Sequence, residues 1–129
     1  MDTDKTTYLR KIPARRSDSN KGTYGKILVA AGSEGMCGAA YLAGLAAYRS
    51  GAGLVRILTP EANRLIVQSL LPEAIFTGYD SDSNFRVLSD ANVSWTDIIV
   101  LGPGLGTEEL SVTLVRELLQ AIALRCDIA

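Results

Sequence analysis

Apolar residues along this chain come in short blocks divided by glycine-rich or polar turns, and the blocks alternate between strand-like runs and helical spacing. Tyr24 to Ala31, carrying Ile27 and Val29, is a short apolar run of the kind a strand buried on both faces requires. Gly32, Ser33, Gly35 and Gly38 turn the chain, and a helix from Gly38 to Ser50 follows, stopped by Gly51 and Gly53. Seven of its residues are Ala or Gly, so it can approach a sheet closely. Leu54 to Thr59 predicts a second strand. Pro60 suits the first position of a helix capped by Thr59, with Ala62, Leu65, Ile66 and Ser69 at helical spacing up to Leu70, and Pro72 ends it. Glu73 to Tyr79 reads as a third strand. Asp80 to Asn92 has little periodicity and predicts a loop holding a short helix around Arg86 to Asp90. Asp97 to Leu101 is a strong buried strand, followed by Gly102-Pro103-Gly104-Leu105-Gly106. Thr107 caps a last helix whose apolar positions are Leu110, Leu114, Val115, Leu118 and Ile122, with Glu108 and Glu109 suited to its first turn.

Four strands alternating with helices predict an α/β fold, a doubly wound, mainly parallel sheet with helices on both faces. In such sheets ligands sit outside the carboxyl ends of the strands, where helix starts leave backbone N–H groups facing a crevice. Met1 to Asn20 is a polar lead-in with Pro13 and one helical turn expected near Tyr8. Residues 21–129 then form the α/β portion. Cys126-Asp127-Ile128-Ala129 looks like the start of a further strand, so the sequence reads as truncated, a frayed tail being the alternative.

With 129 residues the chain fits one domain, and 47% hydrophobic with 21% charged residues marks an ordinary globular composition. A net charge of −1 gives no ground for nucleic-acid or anionic-membrane binding. Lys5, Arg10, Lys11, Arg15, Arg16 and Lys21 do gather at the start. They are a solvated lead-in or, less simply, a phosphate-facing arm. Cys37 and Cys126 are far apart and form no metal spacing. No signal peptide or long apolar run is present, which makes a reducing cytoplasm the default. Without a single histidine, the usual triads and His-ligated metal sites are excluded on these residues, and no metal site is expected. Cys37, alone in its turn, is a poor nucleophile candidate; loss of an activity on iodoacetamide treatment would revive it.

The chemistry is carried by two glycine turns. Gly102 to Gly106 follows a strand and opens a helix, but its G-x-G-x-G spacing is not that of a dinucleotide fingerprint. Asp127 lies at the start of a strand, where a ribose-binding acid would be at the end of one. Gly32 to Gly38 lacks the Lys-Ser/Thr pair of a P-loop. Either turn alone reads as a plain tight connection. Both at carboxyl ends of adjacent buried strands point to a shared crevice.

Several segments together carry a more specific signal. Lys21-Gly22-Thr23-Tyr24-Gly25, Ala31-Gly32-Ser33, Gly38-Ala39-Ala40, Arg49 to Val55 (RSGAGLV), Leu71-Pro72-Glu73-Ala74 and Gly102 to Gly106, in this order and spacing, resemble the ADP- or ATP-dependent NAD(P)H-hydrate dehydratases. Cys37 stands where that family usually has proline, which removes no chemical group.

The resemblance implies a ribokinase-like fold, of which these residues are the N-terminal portion. It implies repair of hydrated NADH or NADPH: a nucleotide phosphorylates the ring hydroxyl, and elimination of phosphate restores the dihydronicotinamide. ADP or ATP is the implied phosphoryl donor, with Mg2+. Substrate contact carries over first to Ala40 and Gly104, with Gly38, Ala39, Gly102 and Gly106 as neighbours. The family's adenine-nucleotide site and catalytic aspartate belong to its carboxyl-terminal half, and no matching Gly-Thr-Gly-Asp turn occurs in these residues, so no catalytic residue is assigned. The chain is then the substrate-side half, inactive alone, and expected to form a homo-oligomer or to associate with the missing half. Two other readings stay open: a ribokinase-like kinase for a vitamin precursor, separable by comparing phosphate acceptors, and a non-catalytic nucleotide-binding fragment, separable by binding without turnover.

Overall fold

The computed structural model describes residues 14–126, so the helical turn expected near Tyr8 and the strand start at 127–129 lie outside the described residues. Four strands, β1 (Lys26–Ala30), β2 (Leu54–Pro60), β3 (Ile75–Tyr79) and β4 (Ile98–Leu101), form one sheet in the order β3-β2-β1-β4. Every pairing is parallel, with Ile27 opposite both Val55 and Ile98. Four helices connect and follow them: α1 (Cys37–Arg49), α2 (Arg64–Leu70), α3 (Phe85–Trp95) and α4 (Glu109–Cys126). This is the doubly wound α/β arrangement that the alternation predicts.

Strand periodicity divides the core in two. On one face Val29, Ala31, Val55 and Ile57 pack with Ala40 and Ala47 of α1, Val67 of α2 and Leu71. On the other, Leu28, Ala30, Leu58 and Tyr79 pack with Val93 of α3 and Leu114 and Leu118 of α4. Leu28, Val29 and Ala30 of β1 therefore alternate between layers while all three stay buried, as in a parallel strand covered on both sides. Each buried leucine or valine contributes about 1.5–3 kcal/mol relative to exposure. The close approach expected of the small-residue helix is real at Gly44: a Cβ there would come within 2.9 Å of Ile57 Cδ1 and 3.0 Å of Leu71 Cδ2.

Local structure departs from the sequence reading at four places. The strand expected from Tyr24 begins at Lys26, because Tyr24 ends a 3-10 turn, Lys21–Tyr24, that the Asn20 side chain caps, and Gly25 breaks extended geometry at φ 91°. Pro60 does not begin a helix but ends β2 opposite Tyr79, and Thr59 is fully buried instead of capping. A 3-10 turn, Glu61–Asn63, then leads into α2. The helix expected around Arg86 to Asp90 runs the whole way from Phe85 to Trp95, because Asn84 caps it by accepting from the Val87 N–H at 3.1 Å. Its polar residues Ser89 and Asn92 are buried with Val93, which hides the apolar stripe. Asn92 accepts from Arg56 at 3.0 Å, and the Arg56 guanidinium lies 4.0 Å from the Trp95 ring centroid. Finally, α4 closes its first turn from Glu108, whose carbonyl accepts from the Val112 N–H, so Thr107 stands one residue outside the cap position.

Candidate functional site

Strand order reverses beside β1. The chain steps from β1 through β2 to β3 on one side and returns to β4 on the other. At such a switch point the loops leaving the two neighbouring strands diverge to opposite faces and open a crevice at their carboxyl ends. The loops here are Ala31–Met36 after β1 and Gly102–Glu108 after β4, the two glycine turns of the sequence.

They are joined by direct hydrogen bonds. The Gly32 N–H donates to the Pro103 carbonyl at 2.8 Å, and the Ser33 hydroxyl donates to the Gly104 carbonyl at 2.9 Å. Gly102 N–H extends the strand ladder to the Ala30 carbonyl at 3.2 Å. Gly104 holds φ +68°, and a Cβ on it would lie 2.5 Å from the Ala39 Cβ and 3.6 Å from Gly32 Cα. Glycine is thus needed twice over at Gly104, for its backbone angle and for the approach of the second loop to the start of α1.

The N-terminus of α1 completes the surface. Met36 occupies the cap position without a side-chain hydrogen bond, leaving the first-turn N–H groups of Cys37, Gly38 and Ala39 uncapped by a side chain. Such groups, aligned with the helix dipole, attract anions. Gly38 is exposed and open, Ala39 is half-buried against Gly104, and Gly102 and Gly106 are exposed with positive φ. The direct approach among them is that of Gly104 to Ala39, with Gly38 next to Ala39 in the helix and Gly102 and Gly106 flanking Gly104 in the loop. Ala40 does not join them there: it is fully buried in the core, with its Cβ 3.2 Å from where a Gly32 Cβ would stand. In this conformation it supports the surface from beneath.

Asn63 supports the first loop from the other side, a part the sequence reading missed. It is buried, and its Nδ2 donates to the Ser33 carbonyl at 3.1 Å and to Thr59 Oγ1 at 3.0 Å. Cys37 is a half-buried free thiol at the first position of α1. Among the described residues no group of His, Cys, Asp or Glu is arranged to hold a metal. The described basic residues of the lead-in sit away from the crevice: Arg15 stacks on Tyr24 at 4.9 Å, Arg16 pairs with Asp18 at 2.8 Å, and Lys21 precedes the amino end of β1. That is a solvated lead-in; Lys5, Arg10 and Lys11 lie outside the described residues.

Comparison with known proteins agrees with this geometry. A family model described as NAD(P)H-hydrate dehydratase matches residues 27–124. The ADP-dependent (S)-NAD(P)H-hydrate dehydratase of Listeria monocytogenes is 38% identical over 109 residues, covering 84% of this chain and 38% of that protein. The crystal structure of the Bacillus subtilis ADP/ATP-dependent NAD(P)H-hydrate dehydratase, co-crystallised with ATP/Mg2+, superposes with a TM-score of 0.68 at 39% identity over 85% of this chain and 39% of that one. A ribokinase-like superfamily protein from Enterococcus faecalis gives a TM-score of 0.75 at 30% identity over 85% and 37%. The chain therefore spans about two-fifths of the length of the proteins it matches.

Proposed function

The chain belongs to the NAD(P)H-hydrate dehydratase family and shares its ribokinase-like fold, and from that premise we propose that it supplies the substrate-side half of an enzyme that repairs hydrated NADH and NADPH. The reaction is a nucleotide-dependent dehydration. The ring hydroxyl of the hydrated nicotinamide is phosphorylated, and phosphate then departs to restore the dihydropyridine.

The observation that carries this reading is the hydrogen-bonded junction of the two glycine loops at the switch point. Substrate lies across Gly38, Ala39, Gly102, Gly104 and Gly106, where small residues let a ligand reach backbone N–H groups, while Ala40 fixes the helix start from below. Phosphoryl transfer depends mostly on positioning and charge stabilisation, and the uncapped first turn of α1 suits the anionic part of a dinucleotide. ADP or ATP is the phosphoryl donor in this reading, as the names of the relatives suggest, and Mg2+ has no ligand set to be assigned on the described residues. We place the protein in the cytoplasm, working as a homo-oligomer or in association with the complementary half; no helix among the described residues is long and apolar enough to cross a membrane.

Binding and turnover test the two halves of the proposal separately. Hydrated NADH titrated into the 129-residue chain should bind and perturb the amides of Gly102 to Gly106. With ADP or ATP and Mg2+ the chain alone should regenerate no NADH. Absence of binding by a folded chain overturns the substrate assignment, and regeneration of NADH overturns the division of labour.

A further inference from the structure

Every carbonyl from Gly102 to Leu105 is already bonded within the fold. Gly102 accepts from the Leu105 N–H at 3.2 Å, Pro103 from the Gly32 N–H at 2.8 Å, Gly104 from the Ser33 hydroxyl at 2.9 Å and Leu105 from the Ser111 hydroxyl at 2.6 Å. The N–H groups of Gly104 and Gly106, by contrast, meet no acceptor among the described residues. The second glycine loop therefore offers donors and withholds acceptors.

Ser111 is the unusual member of this set. It is the third residue of α4 and is buried. Helical hydroxyls elsewhere fold back on their own helix, as Ser69 does to the Leu65 carbonyl and Thr113 to that of Glu109. The Ser111 hydroxyl instead leaves its helix and draws the Leu105 carbonyl into the core. In a planar trans peptide the C=O and the following N–H point in opposite directions, so the same bond turns the Gly106 N–H away from the core. Nothing steric holds that peptide: Gly106 is exposed, its φ is +69°, and a Cβ on it would meet only Ser33 Oγ, at 3.9 Å. Glycine adopts either sign of φ at little cost, so the direction of the peptide is left to its hydrogen bond.

We propose, resting on the family reading above, that Ser111 is a positioning residue for the substrate: it keeps the Gly106 N–H aimed outward as a donor to an anionic oxygen of the dinucleotide. Without the hydroxyl the buried Leu105 carbonyl loses its donor, and a flip of the peptide lets it reach water. An acceptor then stands where the donor was, and it repels a phosphate oxygen.

Amide NMR on the isotopically labelled 129-residue chain, titrated with NADH and separately with inorganic pyrophosphate, reads the donor directly. The Gly106 amide should shift with both, and its hydrogen exchange, fast in the free chain, should slow. Ser111→Ala should bind both about tenfold more weakly, the loss expected for one hydrogen bond to a charged group, and its Gly106 amide should shift before any ligand is added. Ser111→Thr, which keeps the hydroxyl, should restore the affinity. A folded Ser111→Ala chain that binds NADH as tightly as the unaltered one overturns the proposal, and so does a folded Ser111→Thr chain that binds no better than Ser111→Ala. If neither variant folds, the unaltered chain decides. NADH shifts at Gly102 and Gly104 that spare Gly106 overturn the role of Ser111 and leave the family reading standing. No shift anywhere in Gly102–Gly106 overturns both.

Discussion

Asn63 holds Ser33 by a 3.1 Å hydrogen bond from its side-chain amide to the backbone carbonyl, and Ser33 in turn holds Gly104. A residue in the turn after β2 thereby fixes the loops that leave β1 and β4. Asn63→Ala leaves the buried Thr59 hydroxyl and the Ser33 carbonyl short of a donor, at a cost of about 1–3 kcal/mol. Chemical denaturation should show that loss, and NADH affinity should fall with it even though Asn63 is buried beneath the surface.

Gly104→Ala meets two obstacles, a φ of +68° and an Ala39 Cβ 2.5 Å away. The left-handed angle costs about 1–2 kcal/mol and the overlap about 1–3 kcal/mol more. Pairing it with Ala39→Gly relieves the overlap alone. The double variant should recover part of the stability lost by Gly104→Ala, and a double-mutant cycle from urea midpoints measures how much. Full additivity of the two substitutions would mean that Gly104 does not touch the start of α1 in solution.

Leu114 and Leu118 lie fully buried under the β1 and β2 side chains of their layer. Truncation of either to alanine should cost about 2–5 kcal/mol, against less than about 0.5 kcal/mol for Leu119→Ala on the exposed face of the same helix. Thermal unfolding of the three variants checks the assignment of helix faces.

Stability should decline at alkaline pH. Burial pushes the Tyr79 phenol up, partly offset by neighbouring Ser111, and burial likewise raises Tyr48. Unfolded tyrosine titrates near 10, so above that pH the unfolded chain has fewer bound protons than the native one, and rising pH favours unfolding. The contribution is intact below about pH 10 and is lost as pH rises through the native value. Urea midpoints measured between about pH 8 and about 11 should fall, and Tyr79→Phe should flatten part of that slope.

Residues whose local preference agrees with their tertiary role were legible in the sequence. The apolar run ending at Ala31, the Ala- and Gly-rich helix and the two glycine turns place β1, α1 and the crevice, and the family motifs fall on the same segments. What escaped was polar residues doing inward work. Asn92 and Ser89 interrupt the stripe of α3 because Asn92 faces Arg56 inside the fold, so the helix looked shorter than it is. Asn63 sits in a 3-10 turn, where no periodicity marks a buried side chain, and its value comes from Ser33, thirty residues earlier in the chain. Ala40, expected at the substrate surface with Gly38 and Ala39, is buried in this structure by the helix phase, which puts Ala40, Gly44 and Ala47 toward the sheet.

The Ser33 to Gly104 bond spans 71 residues of sequence, and this separation sets the kinetics of the crevice. Neither loop contains the site, so it comes into existence only when the ends of a long chain segment have been brought together, a closure whose entropy must be offset before any contact there forms. β4 is a four-residue strand that, among the described residues, pairs only with β1, and Ile98 at its start is 58% exposed. Detachment of that one strand would separate the two loops, and a ligand bound across them should act as a clasp on β4, slowing exchange of amide hydrogens far from any atom it touches.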